Sequence, residues 1–121
     1  MSIKFSKDHE WAKLEGDTAT IGITDYATHQ LGDIVFVELP AIGAKLKMGE
    51  VFGTIESVKT VSDLFAPMTG DVIAVNNDLE NNPALVNEDA MGAGWICKVK
   101  VADPKEFDKL LSEADYKKIC D

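Results

Sequence analysis

The stretch that decides the fold is Gly53-Thr54-Ile55-Glu56-Ser57-Val58-Lys59-Thr60-Val61-Ser62-Asp63-Leu64-Phe65-Ala66-Pro67. Its middle is predicted to be a hairpin, because strand-like runs at 51–57 and 60–65 flank it closely. The tip is Val58-Lys59, without the Gly, Asn or Asp that tight hairpins favour because those residues accept positive φ. An exposed valine there gains nothing from burial. A position where local rules fail is a candidate functional site.

Lys59 is the residue at this tip with useful chemistry. The point of a turn exposes a lysine fully and frees it from neighbouring side chains, which suits a lysine that another enzyme must reach and modify. It also suits an arm that must swing widely, and an amide on the lysine nitrogen removes the charge and adds length. Eleven other lysines make a solvated surface lysine the default reading of any one of them. The surroundings of Lys59 in the chain set it apart.

An internal repeat brackets the hairpin. The run Gly32-Asp33-Ile34-Val35-Phe36-Val37 is similar to Gly70-Asp71-Val72-Ile73-Ala74-Val75, and Glu50 corresponds to Glu88 at the same offset. Two such runs suggest two similar β-units that pack as two sheets over one core. The same pattern is also how a strand begins after a turn, so the residues alone leave both interpretations open.

The rest of the chain predicts many short strands followed by helix, within a single domain spanning 1–121. Further strands are predicted at 9–14, 18–23, 33–39, 71–75 and 95–101. A short helix at 26–31 is capped by Thr24 or Asp25 and ended by Gly32. Residues 76–94 are loop-like, with room for a helical turn. Segment 103–121 is predicted to be helical, because capping residues precede apolar residues at helical spacing.

Charge and composition exclude several classes of function. The net charge is −9, and all 12 basic residues are lysines, so the chain is a poor nucleic-acid binder and suits docking to basic protein surfaces. No apolar run has transmembrane length and no secretory signal is visible, which predicts no membrane association. The predicted location is the bacterial-type cytoplasm, with a processed organellar form as the alternative.

Neither enzymatic nor metal chemistry is indicated by the remaining motifs. The two cysteines form no CxxC pattern and the two histidines lack metal spacing. No nucleophile–base pair or phosphate loop is present, so no catalytic residue is assigned. Trp11, Trp95 and Cys97 are interpreted as core residues, and Cys120 as a bystander in the C-terminal tail.

Five blocks of sequence carry a family resemblance. They are Glu56-Ser57-Val58-Lys59 with Ser62-Asp63 and Ala66-Pro67, His9-Glu10-Trp11, Ala19 to Ala27, Leu31 to Pro40, and Gly94-Trp95. In this order, and over nearly the whole chain, they resemble the H protein of the glycine cleavage system. Biotin carriers have Met on both sides of their lysine, where this chain has Val58 and Thr60. The Asp-Lys-Ala of lipoyl domains in 2-oxo acid dehydrogenases is also absent.

The resemblance implies a fold and a role. The fold would be mainly β, with two small antiparallel sheets in a barrel-sandwich hybrid, a short helix near 25–31 and C-terminal helices. Lipoic acid would form an amide with Lys59. The chain would carry the aminomethyl group of glycine from a pyridoxal-phosphate-dependent glycine decarboxylase (P protein) to a tetrahydrofolate-dependent aminomethyltransferase (T protein). Its dithiol would then go to dihydrolipoamide dehydrogenase (L protein), so the chain would be a non-catalytic substrate of three enzymes.

The resemblance also implies roles for residues near the lysine. The loaded arm would fold into a surface cleft where Glu10 and Asp63 hold its ammonium group, with His9 beside them. Glu10 as a solvated strand residue, and Asp63 simply facing outward, are the simpler alternatives. Glu56 and Val58 would be read by the lipoylating enzyme, a lipoate ligase or octanoyltransferase. A monomer is expected. The alternative functions are a relay that donates lipoate to 2-oxo acid dehydrogenase subunits and a biotinyl carrier.

Overall fold

Two antiparallel sheets enclose the core of the protein. The structure, a computed structural model, describes residues 2–120, so Met1 and Asp121 at the ends of the predicted domain lie outside it. The six-stranded sheet has the order β1-β2-β3-β9-β8-β5, and the three-stranded sheet has the order β4-β6-β7. The predicted fold class, mainly β with two antiparallel sheets, is confirmed.

The elements have the following bounds. The large sheet contains β1 Ser2–Phe5, β2 Glu10–Glu15, β3 Thr18–Ile23, β5 Lys45–Leu46, β8 Gly70–Val75 and β9 Cys97–Val101. The small sheet contains β4 Ile34–Glu38, β6 Val51–Ser57 and β7 Val61–Phe65. The helices are α1 Asp25–Leu31, α2 Asp78–Asn81, α3 Leu85–Glu88, a 3₁₀ helix Pro104–Lys109 and α4 Glu113–Ile119. Among residues 2–120, the helices are all too short to cross a membrane.

Alternation along the strands explains which faces are buried. In β9 the side chains of Cys97, Val99 and Val101 are buried, whereas Lys100 is exposed between them. Burial raises the pKa of the Cys97 thiol to about 12, which fits its interpretation as a core residue. The alternating pattern therefore predicted the orientation of this strand correctly.

A tryptophan and a glycine pair across β2 and β3. Trp11 lies directly opposite Gly22, and a Cβ atom at Gly22 would fall 2.7 Å from the indole ring. The absent side chain makes room for the ring, whose Nε1–H donates to the carbonyl oxygen of Ala90 at 3.1 Å. Trp11 is therefore a core residue with its polar atom satisfied, as predicted.

The internal repeat has a structural counterpart in the two sheets. Of the two matching runs, one forms β4 in the small sheet and the other forms β8 in the large sheet. Each strand has an irregular register at the same repeat position, which leaves Val35 and Ile73 exposed at bulges. A generic strand start would not reproduce the bulge, so this favours two similar units. The correspondence of Glu50 with Glu88 fails, because Glu50 lies beside β6 and Glu88 ends α3.

Four details differ from the predicted elements. Residues 76–94 contain two short helices, α2 and α3, rather than one loop. The last strand begins at Cys97, because the N–H of Trp95 closes a turn onto the carbonyl of Gly92. Trp95 is accordingly only half-buried, with the Lys98 ammonium 5.2 Å from its ring centroid. The short strands β1 and β5 were missed, since two to four residues carry little periodic signal.

The C-terminal segment is helical, as predicted, and is tied to the start of the chain. Asp103 and Ser112 accept hydrogen bonds as N-caps of the 3₁₀ helix and of α4. Leu111, which lies between the two helices, exchanges two backbone hydrogen bonds of 2.9 and 2.7 Å with Phe5 at the end of β1. This bridge fixes the position of α4 against β1.

Candidate functional site

The β6–β7 hairpin closes through a serine side chain. Val58 and Lys59 form a two-residue tip between Ser57 and Thr60, and the Ser57 N–H donates to the Thr60 carbonyl at 2.8 Å. In the opposite direction, the Thr60 N–H donates to Ser57 Oγ at 3.1 Å, and the Lys59 N–H donates to the same oxygen at 3.2 Å. The buried Ser57 hydroxyl thus does what a backbone carbonyl does in ordinary hairpins.

This closure removes the need for glycine at the tip. Neither Val58 nor Lys59 has positive φ; within the described chain, His9 is the sole non-glycine residue that does. The Val58 N–H also donates to the Asp33 carbonyl at 3.0 Å, which ties the tip to the loop before β4. The Val58 side chain is 66% exposed, as its position predicted. Local hydrogen bonds therefore hold the tip, although its sequence is unusual for a turn.

Lys59 is exposed and lies over a glycine. A Cβ atom at Gly32 would be 3.1 Å from Lys59 Cε and 3.7 Å from Nζ. Gly32 has φ 85° and ψ −157°, a conformation essentially restricted to glycine. The Asn87 side chain holds this loop, because its Nδ2 donates to Gly32 O at 2.9 Å and its Oδ1 accepts from Ile34 N at 2.8 Å. Sequence reasoning missed this role of Asn87, which lies in the segment interpreted as loop.

A cleft of about 150 Å³ opens between α1 and β7, on the side of the small sheet that carries the hairpin. One wall includes Leu31, the residue before Gly32, and the other includes Ser62 and Leu64. At about 3.3 Å per residue, Ser62 lies about 10 Å along the chain from Lys59. Both walls therefore extend toward the hairpin tip. The lining is mostly apolar, and its polar groups include the three predicted cleft residues Glu10, Asp63 and His9.

Glu10 is a buried carboxyl group inside this cleft. The residue is 2% exposed, so it is not the solvated strand residue of the simpler alternative. Burial raises the pKa of Glu10 to about 7. Hydrogen bonds to the carboxylate from the Ser6 hydroxyl, at 2.6 Å, and the Phe65 N–H, at 3.2 Å, lower the pKa of Glu10 and oppose part of this effect. A carboxyl group so placed can change its charge near neutral pH.

His9 lies next to Glu10 in an unusual backbone conformation. Its φ is 71°, and its ring packs against Tyr26 and Tyr116 at centroid distances of 4.7 and 5.5 Å. Nδ1 is 2.7 Å from the hydroxyl oxygen of Tyr116. Burial lowers the pKa of His9, and the nearby Asp8 carboxylate opposes this effect. The ring is therefore a fixed, predominantly neutral group in the cleft at neutral pH.

Asp63 occupies the rim of the cleft rather than its interior. It is exposed, and its strand neighbour Leu64 is buried, so the two side chains point to opposite faces of β7. Its register partner is Thr54 on β6. Of the three predicted cleft residues, the fold therefore brings two into the interior and leaves Asp63 at the edge.

The outer face of the small sheet carries the residues predicted for recognition by a lipoylating enzyme. Glu56 is flanked in register by Phe36 and Val61, which are 54% and 60% exposed. Val58 continues this apolar surface to the tip. The strands β4, β6 and β7 contain no lysine, and their charged side chains are all acidic. Lys59 thus projects from an apolar and acidic sheet.

Two facing sheets with an exposed lysine at a hairpin tip define a carrier domain of the biotinyl and lipoyl class. The solved structure of a glycine cleavage system H protein from Mycobacterium marinum matches with a TM-score of 0.85 and 38% identity, covering 96% of this chain and 94% of that one. A family model described as glycine cleavage H-protein matches residues 3–121. The chain belongs to this family.

Bacterial relatives agree with this assignment. A glycine cleavage system H protein of Parvibaculum lavamentivorans is 54% identical over 114 residues, which are 94% of this chain and 91% of the relative. One from Bacteroides fragilis is 54% identical over 118 residues, covering 98% and 94% of the two chains. The alignments span nearly the full length of each protein.

Proposed function

We propose that the chain is the lipoyl carrier of a glycine cleavage system and that Lys59 bears the lipoyl group in amide linkage. The observation that carries the proposal is the exposed Lys59 at a hairpin tip beside a cleft of about 150 Å³. When bound, a lipoyl group supplies a dithiolane that accepts and releases a small group through its sulfur atoms. The chain itself supplies display and protection rather than catalysis.

The cleft residues protect the carried aminomethyl group. Burial favours the neutral form of the Glu10 carboxyl group. A cation beside that group favours its ionised form, so the carboxylate and the cation stabilise each other. His9 supplies a polar ring in the same interior, and Asp63 supplies a carboxylate at the rim. The apolar walls exclude water from the carried group.

The hairpin and the outer face of the small sheet serve recognition by the lipoylating enzyme, a lipoate ligase or an octanoyltransferase. Glu56 is three residues before Lys59, and the exposed Val58 precedes the lysine directly. An apolar and acidic surface fits an enzyme that presents apolar and basic groups around its active site. The absence of other lysines from this sheet means that the docked surface offers one nitrogen for acylation.

The carrier visits three enzymes in turn. It receives the aminomethyl group at glycine decarboxylase, delivers it to the aminomethyltransferase, and is reoxidised by dihydrolipoamide dehydrogenase. A net charge of −9 favours transient docking to basic surfaces on these partners, because long-range attraction speeds encounter without requiring tight binding. A monomer suits a protein that must present one arm to several enzymes.

The proposal is tested by the intact mass of the protein purified from its native host, followed by peptide sequencing of any adduct. A lipoyl mass on Lys59 is expected. The lipoylated protein should then support glycine decarboxylation with the P, T and L enzymes. A biotin mass on Lys59 would overturn the proposal. Transfer of the lipoyl group to 2-oxo acid dehydrogenase subunits, with no activity toward glycine, would establish the relay instead. An unmodified lysine that a lipoate ligase also fails to acylate in vitro would refute the carrier function.

A further inference from the structure

A buried hydroxyl of the C-terminal helix contacts His9, which lines the arm cleft. Tyr116 of α4 is 6% exposed and stacks on Phe5 at a centroid distance of 4.7 Å. Its hydroxyl oxygen is 2.7 Å from His9 Nδ1 and 2.6 Å from Thr24 Oγ1. Thr24 is the N-cap of α1, which forms one wall of the cleft, and His9 lines the same cleft. One hydroxyl group therefore joins the last helix to two parts of the cleft.

The protons in this chain of hydrogen bonds can be assigned by counting donors. Thr24 Oγ1 accepts from the Ala27 N–H at 3.2 Å as the helix cap, and its own hydrogen has Tyr116 Oη as its acceptor within the described residues. Thr24 is 2% exposed, so an unused hydroxyl hydrogen there would be buried without a partner. Thr24 therefore donates to Tyr116. The single hydroxyl hydrogen of Tyr116 then has two neighbouring acceptors, His9 Nδ1 at 2.7 Å and the Cys120 thiol. Because a thiol sulfur is the weaker acceptor, we assign the hydrogen to His9 Nδ1.

The other ring nitrogen of His9 follows from this assignment. Because Nδ1 accepts a hydrogen bond, the neutral ring carries its proton on Nε2. Nε2 has no hydrogen-bond partner within residues 2–120. His9 is only partly exposed, and no partly exposed or buried residue in that range has a solvent-inaccessible side-chain nitrogen or oxygen without a partner. His9 Nε2 is therefore accessible. Nε2–H is therefore open to solvent or to an occupant of the cleft.

We propose that Tyr116 is a positioning residue for the arm cleft, which holds His9 as the Nε2–H tautomer so that it offers a hydrogen-bond donor beside the carboxyl group of Glu10. This inference rests on the proposed function for its meaning, because the arm is the occupant that would meet the pair. The backbone of His9 supports it, since a non-glycine residue at φ 71° persists only where its surroundings hold it firmly. The backbone hydrogen bonds between Phe5 and Leu111 contribute to this constraint, because they fix the position of α4 and therefore of Tyr116.

Through its contact with the His9 ring, Tyr116 gives the C-terminal helix α4 a role at the site. An acceptor, Glu10, and a donor, His9, both line the cleft, and each has its orientation set by other residues. A ligand with a cationic end and a neighbouring acceptor atom, such as a sulfur, is complementary to this pair. The groups facing His9 that carry or can gain charge are Asp8, Glu10, Tyr26 and Tyr116.

The first test is the tautomer of His9 in the unmodified, ¹⁵N-labelled protein, read from long-range proton–nitrogen correlations, with the exposed His29 as internal reference. His9 should be protonated at Nε2 alone. In Tyr116→Phe the ring should also populate the Nδ1–H tautomer, and its titration midpoint should rise, because the neutral form has lost a hydrogen bond. An Nδ1–H tautomer in the wild type would overturn the inference, as would an unchanged tautomer and midpoint in Tyr116→Phe.

Tyr26→Phe is the matched control. Tyr26 also packs against the His9 ring, but no hydrogen bond joins its hydroxyl to His9, so its loss should leave the tautomer unchanged. In the lipoylated and loaded protein, Tyr116→Phe should release the carried amine as ammonia about fivefold faster, the effect of one net hydrogen bond, and Tyr26→Phe should not. Equal release rates for Tyr116→Phe and wild type would overturn the positioning role. If the wild type gave the carried amine no protection from release, the proposed role of the cleft would be refuted. The tautomer measurement would still decide the assignment of His9.

Discussion

The two sheets of this protein differ in the charge of their strands and in what surrounds them. Strands of the large sheet carry five lysines, namely Lys4, Lys13, Lys45, Lys98 and Lys100, and the C-terminal helices pack on its β1 end. Strands of the small sheet carry no lysine and three carboxylates, namely Glu38, Glu56 and Asp63. The small sheet also exposes apolar side chains around its hairpin tip.

This difference separates a scaffold from a display surface. Exposed charges of both signs keep the large sheet solvated and offer no single apolar face for docking. The small sheet presents one lysine, Lys59, on a background that is apolar and acidic, and the cleft lies between this sheet and elements of the large one. Repeated β-units of similar local form have thus acquired different surfaces, which can be tested by substitutions in each.

The largest effect is expected from Lys59→Arg. The guanidinium keeps the positive charge but cannot be acylated by an enzyme that forms a lysine amide. Incubation with lipoate, ATP and a lipoate ligase should add the lipoyl mass to the wild type and nothing to the variant. Lys45→Arg, on the exposed edge of the large sheet, is the control and should be modified at the wild-type rate. Substantial modification of Lys59→Arg would show that the lipoyl group attaches elsewhere.

Next is the pH dependence of stability caused by Glu10. Its pKa in the folded protein is about 7, above the ordinary value of 4.5, so the folded state binds the proton more tightly than the unfolded chain does. This stabilisation is complete below pH 4.5 and is lost as the pH rises through 7, a loss of about 3 kcal/mol. Glu10→Gln should remove that loss.

Urea unfolding at several pH values between 4.5 and 8 measures the Glu10 effect. The difference between wild type and Glu10→Gln isolates this residue, because His9 contributes to both curves. The variant should gain stability relative to wild type as the pH rises, since its amide can still accept from Phe65 and donate to Ser6. Parallel curves would mean that Glu10 is not buried with a raised pKa.

Gly32→Ala should have a smaller effect, about 2 kcal/mol of lost stability, because φ 85° with ψ −157° strains any residue with a Cβ. Gly43→Ala is matched, since Gly43 has φ 92° but open space around it. The free energy of unfolding should fall similarly in both. The rate of lipoylation should stay close to wild type, because Lys59 Cε is a flexible end that can move aside. A selective loss of lipoylation in Gly32→Ala would show that Lys59 needs a residue without a Cβ atom beneath its side chain.

Glu56→Gln tests the outer face of the small sheet. We expect kcat/KM of the lipoylating enzyme to fall about tenfold, the effect of one charge-assisted hydrogen bond, with unchanged thermal stability because the side chain is exposed. Glu38→Gln removes a carboxylate from the same face, one row farther from the tip, and should have at most a twofold effect. Equal losses for the two variants would indicate general charge attraction instead of contact at Glu56.

The smallest effect is expected from Lys45→Ala in the large sheet. The Lys45 ammonium lies 3.6 Å from the Asp71 carboxylate, but the two side chains are 86% and 56% exposed. Solvent screening limits such a pair to less than about 0.5 kcal/mol. Thermal unfolding should therefore be nearly unchanged. A loss above about 1 kcal/mol would show that the charges of the large sheet stabilise the scaffold directly.

Patterns in the sequence predicted the elements and the principal residue, as β6 and β7 illustrate. Short apolar runs separated by turn residues located most strands, and the unusual tip at 58–59 drew attention to Lys59. The short strands β1 and β5 escaped, because pairing with neighbours, rather than periodicity, makes them strands. Glu10, Asp63 and His9 are predicted from the resemblance to line the cleft, and all three line it, with Asp63 exposed at its rim.

The sequence by itself determined the alternating strands, the capped helices and an exposed lysine at an unlikely turn, because these depend on residues close together in the chain. Only the tertiary structure decided that Glu10 is buried, that the Asn87 amide braces the loop under Lys59, and that Tyr116 reaches His9 across 107 positions. Burial and hydrogen bonding between distant residues arise when the sheets pack. The protonation of Glu10 and the orientation of His9 are therefore properties of the assembled core, and local sequence carries no signal for them.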